Sequence, residues 1–249
     1  MKSKQTDAIV MALSSKNAAE MSVVAPNGQK PLIELNGRPA ISYLLDNLRL
    51  CELISGIILV TDSNDFCRFI EADSTIFVDS DLEQAVLAGI ESSSVERCLM
   101  LSADMPLAST QALSDLLQGA PDCDVVYPVV GRADMVRLLP DRTAYYIDTK
   151  EGCFTGSSCL LFDAQVALSR QSTISRLMSA RSNPKELISL LGPKLVMKLM
   201  LTKVSTDELE AQLSAALDVN CRIYVTGYPE MLVSIDAPGD VPAIEALLT

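Results

Sequence analysis

Short apolar runs recur through the first half of the chain, separated by stretches of helical character. The runs are DAIVMAL at 7–13, GIILVTD at 56–62, TIFVD at 75–79, CLMLSA at 98–103 and DVVYPVV at 124–130. Each has the length and boundaries of a buried strand. Between the first two, Ile41, Leu44, Leu45 and Leu48 fall on one helical face. The alternation predicts a three-layer α/β fold, in which a mostly parallel, twisted sheet carries helices on both faces.

The alternation ends after Val130, where the sequence predicts strands or connections around a cleft. Residues 172–218 are predicted to form a helical insertion near the C-terminus, with Ser205 and Glu208 as a capping box at one helix start. Residues 221–227 and 231–236 are expected to return as strands. No internal repeat or low-complexity linker interrupts the 249 residues, so 1–249 is predicted to form one domain.

The composition excludes several classes of function. The net charge is −12 at pH 7, which argues against a nucleic-acid partner, because phosphate backbones require clustered Lys and Arg. Histidine is absent, which removes Ser-His-Asp triads, histidine general bases and most zinc sites. The chemistry of this chain is therefore expected to use carboxylates, lysine and a bound metal ion.

Cysteine usage and the first residues indicate a compartment. Seven Cys are scattered without Cys-x-x-Cys spacing, a pattern typical of reduced and packed thiols. Lys2 and Lys4 precede an ordinary strand pattern rather than the apolar core of a signal peptide. These observations predict a cytoplasmic protein.

The apolar segment PKLVMKLML at 193–201 leaves several interpretations open. It is too short for a transmembrane segment, which needs about 20 apolar residues. The ordinary interpretation is a buried helix or a homodimer face. The alternatives are a lid over an apolar acceptor and a membrane-surface contact through Lys194 and Lys198.

One carboxylate stands where open α/β sheets bind ligands. In CLMLSADMPL, Asp104 directly follows an apolar strand, and Pro106 ends the segment. The carboxyl ends of strands line the ligand crevice of such sheets, and a carboxylate there suits Mg²⁺ that carries nucleotide phosphates. Asp236 in SIDAPGD also follows a predicted strand, and the two carboxylates can share one ion if their strands are neighbours. The alternative role of both residues is to cap a turn or a helix, for which Asp240 competes with Asp236.

Five segments together resemble the MobA-like NTP transferases, which are nucleotidyltransferases with a Rossmann-like, GT-A-like fold. The resemblance extends over nearly the whole chain. The segments are IVMALSS at 9–15, KPLIELNGRPAISYLLDNLR at 30–49, LSADMPL at 101–107, FTGSS at 154–158 and SIDAPGD at 234–240.

The resemblance implies a Mg²⁺-dependent nucleotidyltransferase. An acceptor phosphate or hydroxyl of a small molecule attacks the α-phosphate of an NTP, and pyrophosphate leaves. The resemblance implies that Asp104 and Asp236 are the metal ligands and that Lys30 completes the catalytic set by stabilising phosphate charge. The implied nucleotide-binding residues are Ala12, Leu13, Ser14, Ser15, Lys16, Lys30 and Gln84. The implied acceptor-binding residues are Thr155, Gly156 and Ser157. Because such transfer needs positioning and charge neutralisation, the absence of histidine is compatible with it.

The chain departs from the family pattern in its binding loops. The family's loop after the first strand is rich in glycine, whereas here Ser14, Ser15 and Lys16 occupy the corresponding positions. Ser157 likewise stands where a second glycine is usual. Two hypotheses follow: an active transferase with an altered loop, and a catalytically degenerate member that retains the fold for binding or interaction. Retention of Lys30, Asp104 and Asp236 favours the first. A Rossmann dehydrogenase is excluded because no Gly-x-Gly-x-x-Gly follows the first strand.

Overall fold

The apolar runs of the sequence form the strands of one sheet in the computed structural model. The structure describes residues 5–14, 21–66, 72–79, 81–156, 158–181, 192–193, 195, 197–198 and 204–248. The strands are β1 (Thr6–Ala12), β2 (Glu34–Leu35), β3 (Arg38–Pro39), β4 (Ile54–Thr61), β5 (Ser74–Phe77), β6 (Arg97–Ser102), β7 (Val125–Gly131), β8 (Ile147–Asp148), β9 (Cys153–Gly156), β10 (Cys159–Asp163) and β11 (Cys221–Val225). The helices are α1 (Ala40–Leu50), α2 (Leu82–Glu91), α3 (Thr110–Gly119), α4 (Arg132–Leu138), α5 (Ala164–Ser169), α6 (Gln171–Arg181), α7 (Thr206–Leu217) and α8 (Asp240–Leu247).

The sheet has a parallel half and a mixed half. Strands β5, β4, β1 and β6 are adjacent in that order, and all three contacts between them are parallel. Strand β10 then runs antiparallel to both β6 and β7, and β9 is antiparallel to a later part of β7. Strand β11 pairs with β7 in parallel. This arrangement confirms the predicted three-layer α/β fold around a mostly parallel sheet.

The two faces of the sheet carry different helices. In β6, Leu99 and Leu101 point to the face covered by α1, α3 and α8, whereas Cys98 points to the face covered by α2 and α5. Successive side chains of a strand point to opposite faces, so a wholly apolar strand indicates burial on both sides. The stripe predicted for α1 is buried as expected, with Ile41, Leu44, Leu45 and Leu48 against the sheet. Burial of apolar area on both faces provides the main stabilisation.

One local prediction was wrong, for a physical reason. Residues 231–236 do not form a strand: Pro229–Leu232 is a 3₁₀ turn, and the chain continues irregularly to Asp236. The segment Lys30–Leu32, which precedes the short strand β2, is a 3₁₀ turn of the same kind. Both segments are apolar because they pack under helices, with Met231 and Val233 fully buried. Burial alone does not distinguish a short strand from a buried turn.

The helical insertion is described in part. Helices α6 and α7 lie in the predicted range, and Ser205 caps α7 by accepting a hydrogen bond from the Glu208 amide at 3.2 Å. Between these helices, 182–191, 194, 196 and 199–203 lie outside the described residues. The insertion as a unit, the single domain over 1–249, the homodimer and the role of segment 193–201 therefore stay predictions. Within the described part of the chain, no helix has both the length and the apolar character that a bilayer crossing requires.

A buried carboxylate joins the strands at the edge opposite their carboxyl ends. Asp7, near the start of β1, is 3% exposed. It accepts hydrogen bonds from the Ser55 hydroxyl at 2.7 Å, the Ser93 hydroxyl at 2.9 Å and the Ser94 amide at 3.0 Å. These donors belong to the start of β4 and the loop before β6. Asp7 therefore fastens three parallel segments from one position.

Replacing Asp7 by Ala is expected to lower the free energy of unfolding by about 2 kcal/mol, because three hydrogen bonds to a buried carboxylate would be lost. Asp7→Asn retains one acceptor oxygen and is expected to cost less. Urea unfolding of both variants measures the difference. Asp46→Ala, at an exposed residue of α1, serves as the control. An Asp7→Ala protein as stable as this control would contradict the prediction.

Candidate active site

The order of the strands creates a switch point beside β1. Strands β4 and β5 lie on one side of β1, and β6 lies on the other. In open α/β sheets, loops that leave two such strands diverge, and ligands bind in the crevice between them. Ser14 follows β1 and Asp104 follows β6. The switch point thus places the first-strand loop and the predicted carboxylate at one edge of the sheet.

Asp104 is buried and doubly held. Its side chain is 3% exposed, and one oxygen forms an ion pair with the Lys30 ammonium group. The Ser102 hydroxyl, at the end of β6, contacts the other oxygen. The Ala103 amide donates to the Met11 carbonyl at 3.0 Å, which keeps the chain beside β1 after β6 ends. The carboxylate is therefore fixed by its neighbours before any ligand binds.

Lys30 bridges two distant parts of the chain. It begins the Lys30–Leu32 turn, in which Pro31 is buried, and its side chain is 22% exposed. Besides contacting Asp104, its Nζ donates to the Ile235 carbonyl at 2.8 Å and lies 3.7 Å from the Asp236 Oδ1. The structure thus brings Lys30, Asp104 and Asp236 together, as the sequence predicts.

Asp236 reaches this position by a route that differs from the predicted one. It does not follow a strand beside β6. Instead, the Ile235 amide donates to the Asp104 carbonyl at 3.0 Å, which ties the two segments together through the backbone. The Asp236 side chain is 57% exposed and accepts from the Ser234 hydroxyl at 3.0 and 3.1 Å. One carboxylate of the pair is therefore buried and the other faces solvent.

Sequence reasoning missed Arg142, which contacts the same carboxylate. Its side chain is 7% exposed, and its guanidinium lies 2.6 Å from the Asp236 Oδ2 and 3.3 Å from the Asp240 Oδ2. It also donates to the Ser234 carbonyl at 2.8 Å. Nothing local marks Arg142, because it lies in an irregular connection between α4 and β8. Asp240, considered as a helix cap, instead accepts from the Asp236 and Ala237 amides at 2.8 and 2.9 Å.

The first-strand loop is anchored by an acidic residue. Ser14 donates through its amide to both oxygens of Asp62 at 3.1 Å and through its hydroxyl to one of them at 3.0 Å. Asp62 directly follows β4, so its position after a strand was the available signal, and it was missed. Ala12 is fully buried and Leu13 half-buried, so the Ala12 side chain belongs to the core.

Three further residues are predicted to bind the nucleotide: Ser15, Lys16 and Gln84. Ser15 and Lys16 are outside the described residues. Gln84 is exposed on the first turn of α2, which follows β5, two strands from β1. The structure therefore does not bring Gln84 into the group formed by Lys30, Asp104 and Asp236.

The predicted acceptor loop adjoins the site through one backbone contact. The Ser102 amide donates to the Ser158 carbonyl at 3.0 Å, so the segment after β9 lies beside the residue that holds Asp104. Thr155 is buried and Gly156 half-buried within β9, and Ser157 lies outside the described residues. The phenol of Tyr127, on β7, lies against Gly156, and burial raises the pKa of Tyr127.

Gly156 is required by this contact. A Cβ at this position would lie 2.3 Å from the Tyr127 hydroxyl oxygen, so the phenol would have to move. Gly156→Ala is expected to lower the free energy of unfolding by about 1–3 kcal/mol, and chemical unfolding measures it. Gly227→Ala is the control, since a Cβ there meets no atom within 4 Å. When Gly156→Ala is combined with Tyr127→Val, part of the lost free energy of unfolding should be recovered. If Gly156→Ala costs the same with and without the phenol, this explanation is refuted.

Five of the six described cysteines are buried, as packing residues are. Cys98, Cys159 and Cys221 are buried, and burial raises their pKa values to about 11, about 12 and about 11. Such thiols stay protonated at neutral pH, whereas a nucleophilic cysteine needs its thiolate form. The candidate site therefore depends on its carboxylates and cations.

Comparison with known families and structures gives consistent findings. The profile of a family described as MobA-like NTP transferase domain matches residues 19–191. This range contains Lys30, Asp104 and the Thr155–Gly156 segment, whereas the first-strand loop and Asp236 lie outside it. No curated protein matches the chain significantly.

Several solved structures share the fold over nearly its whole length. A hypothetical transferase from Thermus thermophilus is 27% identical, with a TM-score of 0.84 over 96% of this chain and 99% of that one. A 4-diphosphocytidyl-2C-methyl-D-erythritol synthase from Anaerococcus prevotii is 15% identical, with a TM-score of 0.60 over 99% and 96% of the two chains. A CMP:2-keto-3-deoxy-manno-octonic acid synthetase in complex with CTP is 13% identical, with a TM-score of 0.62 over 98% of each chain.

Proposed function

The chain belongs to the MobA-like NTP transferase family, and on this premise we propose that it transfers a nucleoside monophosphate from an NTP to a small-molecule acceptor. One observation supports the proposal most directly. The Lys30 ammonium group contacts the Asp104 carboxylate and lies 3.7 Å from the Asp236 Oδ1, at the switch point of the sheet. An ammonium beside two carboxylates at such a crevice suits a ligand that brings both a cation and phosphates.

The residues present fit a magnesium ion. Among the described residues, no three acidic or cysteine side chains lie close enough to form a metal site alone. Mg²⁺ does not require such a cluster, because it commonly takes one or two carboxylates and completes its coordination with water and substrate phosphates. We therefore propose that Asp104 and Asp236 hold Mg²⁺ together with the nucleotide. The ion would supply charge neutralisation at the phosphates.

The proposed reaction forms one bond and breaks one. A phosphate or hydroxyl oxygen of the acceptor forms a bond to the α-phosphorus, and the bond from that phosphorus to the pyrophosphate oxygen breaks with its electron pair. The proton of a hydroxyl acceptor passes to solvent water. Lys30 would neutralise negative charge that accumulates on the departing pyrophosphate. Its hydrogen bond to the Ile235 carbonyl would hold the ammonium at the rim if the carboxylates took up a cation. These residues act by position and charge, without a covalent intermediate.

The loop residues support binding by a second route. Asp62 fixes the amide and the hydroxyl of Ser14 at the end of β1. Asp62 therefore holds the start of this loop at Ser14 without a glycine at that position. We propose that the segment 12–16 and Lys30 meet the nucleotide, and that the segment 155–157 meets the acceptor.

Thermal unfolding with each of ATP, GTP, CTP and UTP, with and without Mg²⁺, tests nucleotide binding. Binding to the folded state should raise the midpoint with one NTP and more strongly with Mg²⁺. Pyrophosphate release with that NTP and a panel of sugar phosphates, polyols and cofactor precursors then tests transfer. A midpoint that no NTP shifts at millimolar concentration would refute the proposal. A shift without pyrophosphate release for any acceptor would favour the degenerate, binding-only member.

A further inference from the structure

Charges of opposite sign alternate along the rim of the site. The series runs from Asp104 through Lys30, Asp236 and Arg142 to Asp240, and every neighbouring pair lies within 3.7 Å. Asp236 occupies the middle of the series, and its two oxygens face different cations. Oδ1 faces Lys30, whereas Oδ2 lies 2.6 Å from the Arg142 Nη2. The orientation of this carboxylate is therefore set from both sides.

Arg142 is built into the structure rather than attached to its surface. Its side chain is 7% exposed, and its amide donates to the Leu139 carbonyl at 3.2 Å in the turn after α4. The same side chain donates to the Ser234 carbonyl at 2.8 Å. A guanidinium holds its donors in one rigid plane, so contacts with a carboxylate and a carbonyl together fix an orientation that one ammonium cannot reproduce.

The backbone and the side chain of Asp236 are held by different groups. The Asp240 carboxylate accepts from the Asp236 and Ala237 amides, which fixes the backbone. The Ile235 amide adds a further link to the Asp104 carbonyl. Loss of Arg142 would thus leave the backbone links in place. The exposed Asp236 side chain would keep its contacts with Ser234 and Lys30 but would lose the cation that holds Oδ2.

We infer that Arg142 is a positioning residue of the proposed transfer, acting through Asp236; this inference rests on the proposed function. Because the guanidinium binds Oδ2, the other oxygen, Oδ1, faces Lys30. Oδ1 is then the oxygen available to a cation that Asp104 also holds. The guanidinium also balances the charge of Asp240, which would otherwise repel Asp236. Arg142 does not touch the reacting phosphates in this role. Its contribution is expected in the turnover rate and the cation affinity rather than in the affinity for the acceptor.

The test compares Arg142→Ala and Arg142→Lys with the control Arg137→Ala. Arg142→Ala is also measured in combination with Asp236→Ala. Arg137 is an exposed residue of α4 paired with Asp134, so its loss removes the same charge away from the site. Pyrophosphate release gives kcat and KM separately. Electron paramagnetic resonance gives Mn²⁺ affinity with a non-hydrolysable analogue of the NTP that binds, a measurement that needs no turnover.

Arg142→Ala is expected to lower kcat about 10²-fold and to weaken Mn²⁺ binding, because a misplaced group costs about that much. Arg142→Lys should fall between this variant and the wild type, and Arg137→Ala should match the wild type. In the Asp236→Ala background, removal of Arg142 should change kcat by less than about twofold, since interacting residues are non-additive. If Arg142→Ala does not fold, Arg142→Lys is measured alone and combined with Asp236→Ala in the same way.

Two results would overturn the inference while the proposed function stands. One is an Arg142→Ala protein with the kcat and Mn²⁺ affinity of the Arg137→Ala control. The other is an equal loss in the presence and absence of Asp236, which would indicate a general structural role. A wild-type protein that releases no pyrophosphate with any NTP and acceptor would instead reject the proposed function, and the inference with it.

Discussion

Asp104→Asn is expected to lower kcat for nucleotidyl transfer by about 10³-fold, the largest effect anticipated for a single substitution in this protein. The change keeps the shape of the side chain and its contact with the Ser102 hydroxyl but removes the charge that faces Lys30. Without that charge, the site would lose the buried one of the two carboxylates that we propose hold the cation. Steady-state pyrophosphate release measures kcat, and thermal unfolding with the NTP measures the part of the shift that depends on Mg²⁺.

The Mg²⁺-dependent shift should disappear in Asp104→Asn, because the pair of carboxylates is reduced to Asp236 alone. Asp134→Asn provides a matched control, since Asp134 is a partly exposed residue of α4 that pairs only locally with Arg137. Control kinetics should equal those of the wild type. An Asp104→Asn enzyme that retains both its kcat and its Mg²⁺-dependent shift would show that the metal assignment is wrong.

Lys30→Met is expected to reduce kcat by about 10²–10³-fold, because the departing pyrophosphate would lose its fixed cation. The substitution has a second consequence in the free protein. Asp104 and Asp236 would lose the ammonium group that lies near both of them, and Asp104 would remain buried without a cationic partner. Removing one partner from a buried ion pair is strongly destabilising, by about 3 kcal/mol for a well-buried pair.

This second consequence separates Lys30 from an ordinary catalytic lysine. A divalent cation can occupy the position between the two carboxylates once the ammonium is absent, so Mg²⁺ or Mn²⁺ alone should raise the unfolding midpoint of Lys30→Met more than that of the wild type. Lys150→Met, at an exposed residue, should show neither effect. A Lys30→Met protein whose midpoint is insensitive to both ions would contradict the placement of the cation beside Asp104 and Asp236.

The start of the altered first-strand loop is held by a side chain from the end of β4. Glycine in the loops of related proteins permits backbone groups to approach phosphate. In this chain, Asp62 accepts from the amide and hydroxyl of Ser14, so a side chain of the neighbouring strand end holds the start of the loop. Ser15 and Lys16 lie outside the described residues. The retained group of Lys30, Asp104 and Asp236 therefore remains the main support for an active enzyme over a degenerate one.

The class of fold and the position of one carboxylate can be predicted from the amino-acid sequence alone. Strand and helix periodicity record which side chains are buried, and burial on both faces of β6 or on one face of α1 needs no knowledge of distant residues. Asp104 could be located because an acidic residue directly after a buried strand lies at the carboxyl edge of the sheet. The segment around Asp236 was placed after a strand for the same reason, and there the apolar pattern was that of a buried turn.

The way in which the site is assembled can be seen only in the folded chain. Lys30 and Ile235 are 205 residues apart in sequence, yet a 2.8 Å hydrogen bond joins them. Arg142 lies in an irregular connection and meets Asp236 and Asp240 because α4 packs near the 3₁₀ turn that precedes them. Such contacts depend on which distant segments pack together. That packing is set by burial of the whole core, and no local pattern in the sequence indicates it. The alternating charges from Asp104 to Asp240 therefore arise only when the chain folds. The sheet beside them, in contrast, can be predicted from the periodicity of its strands.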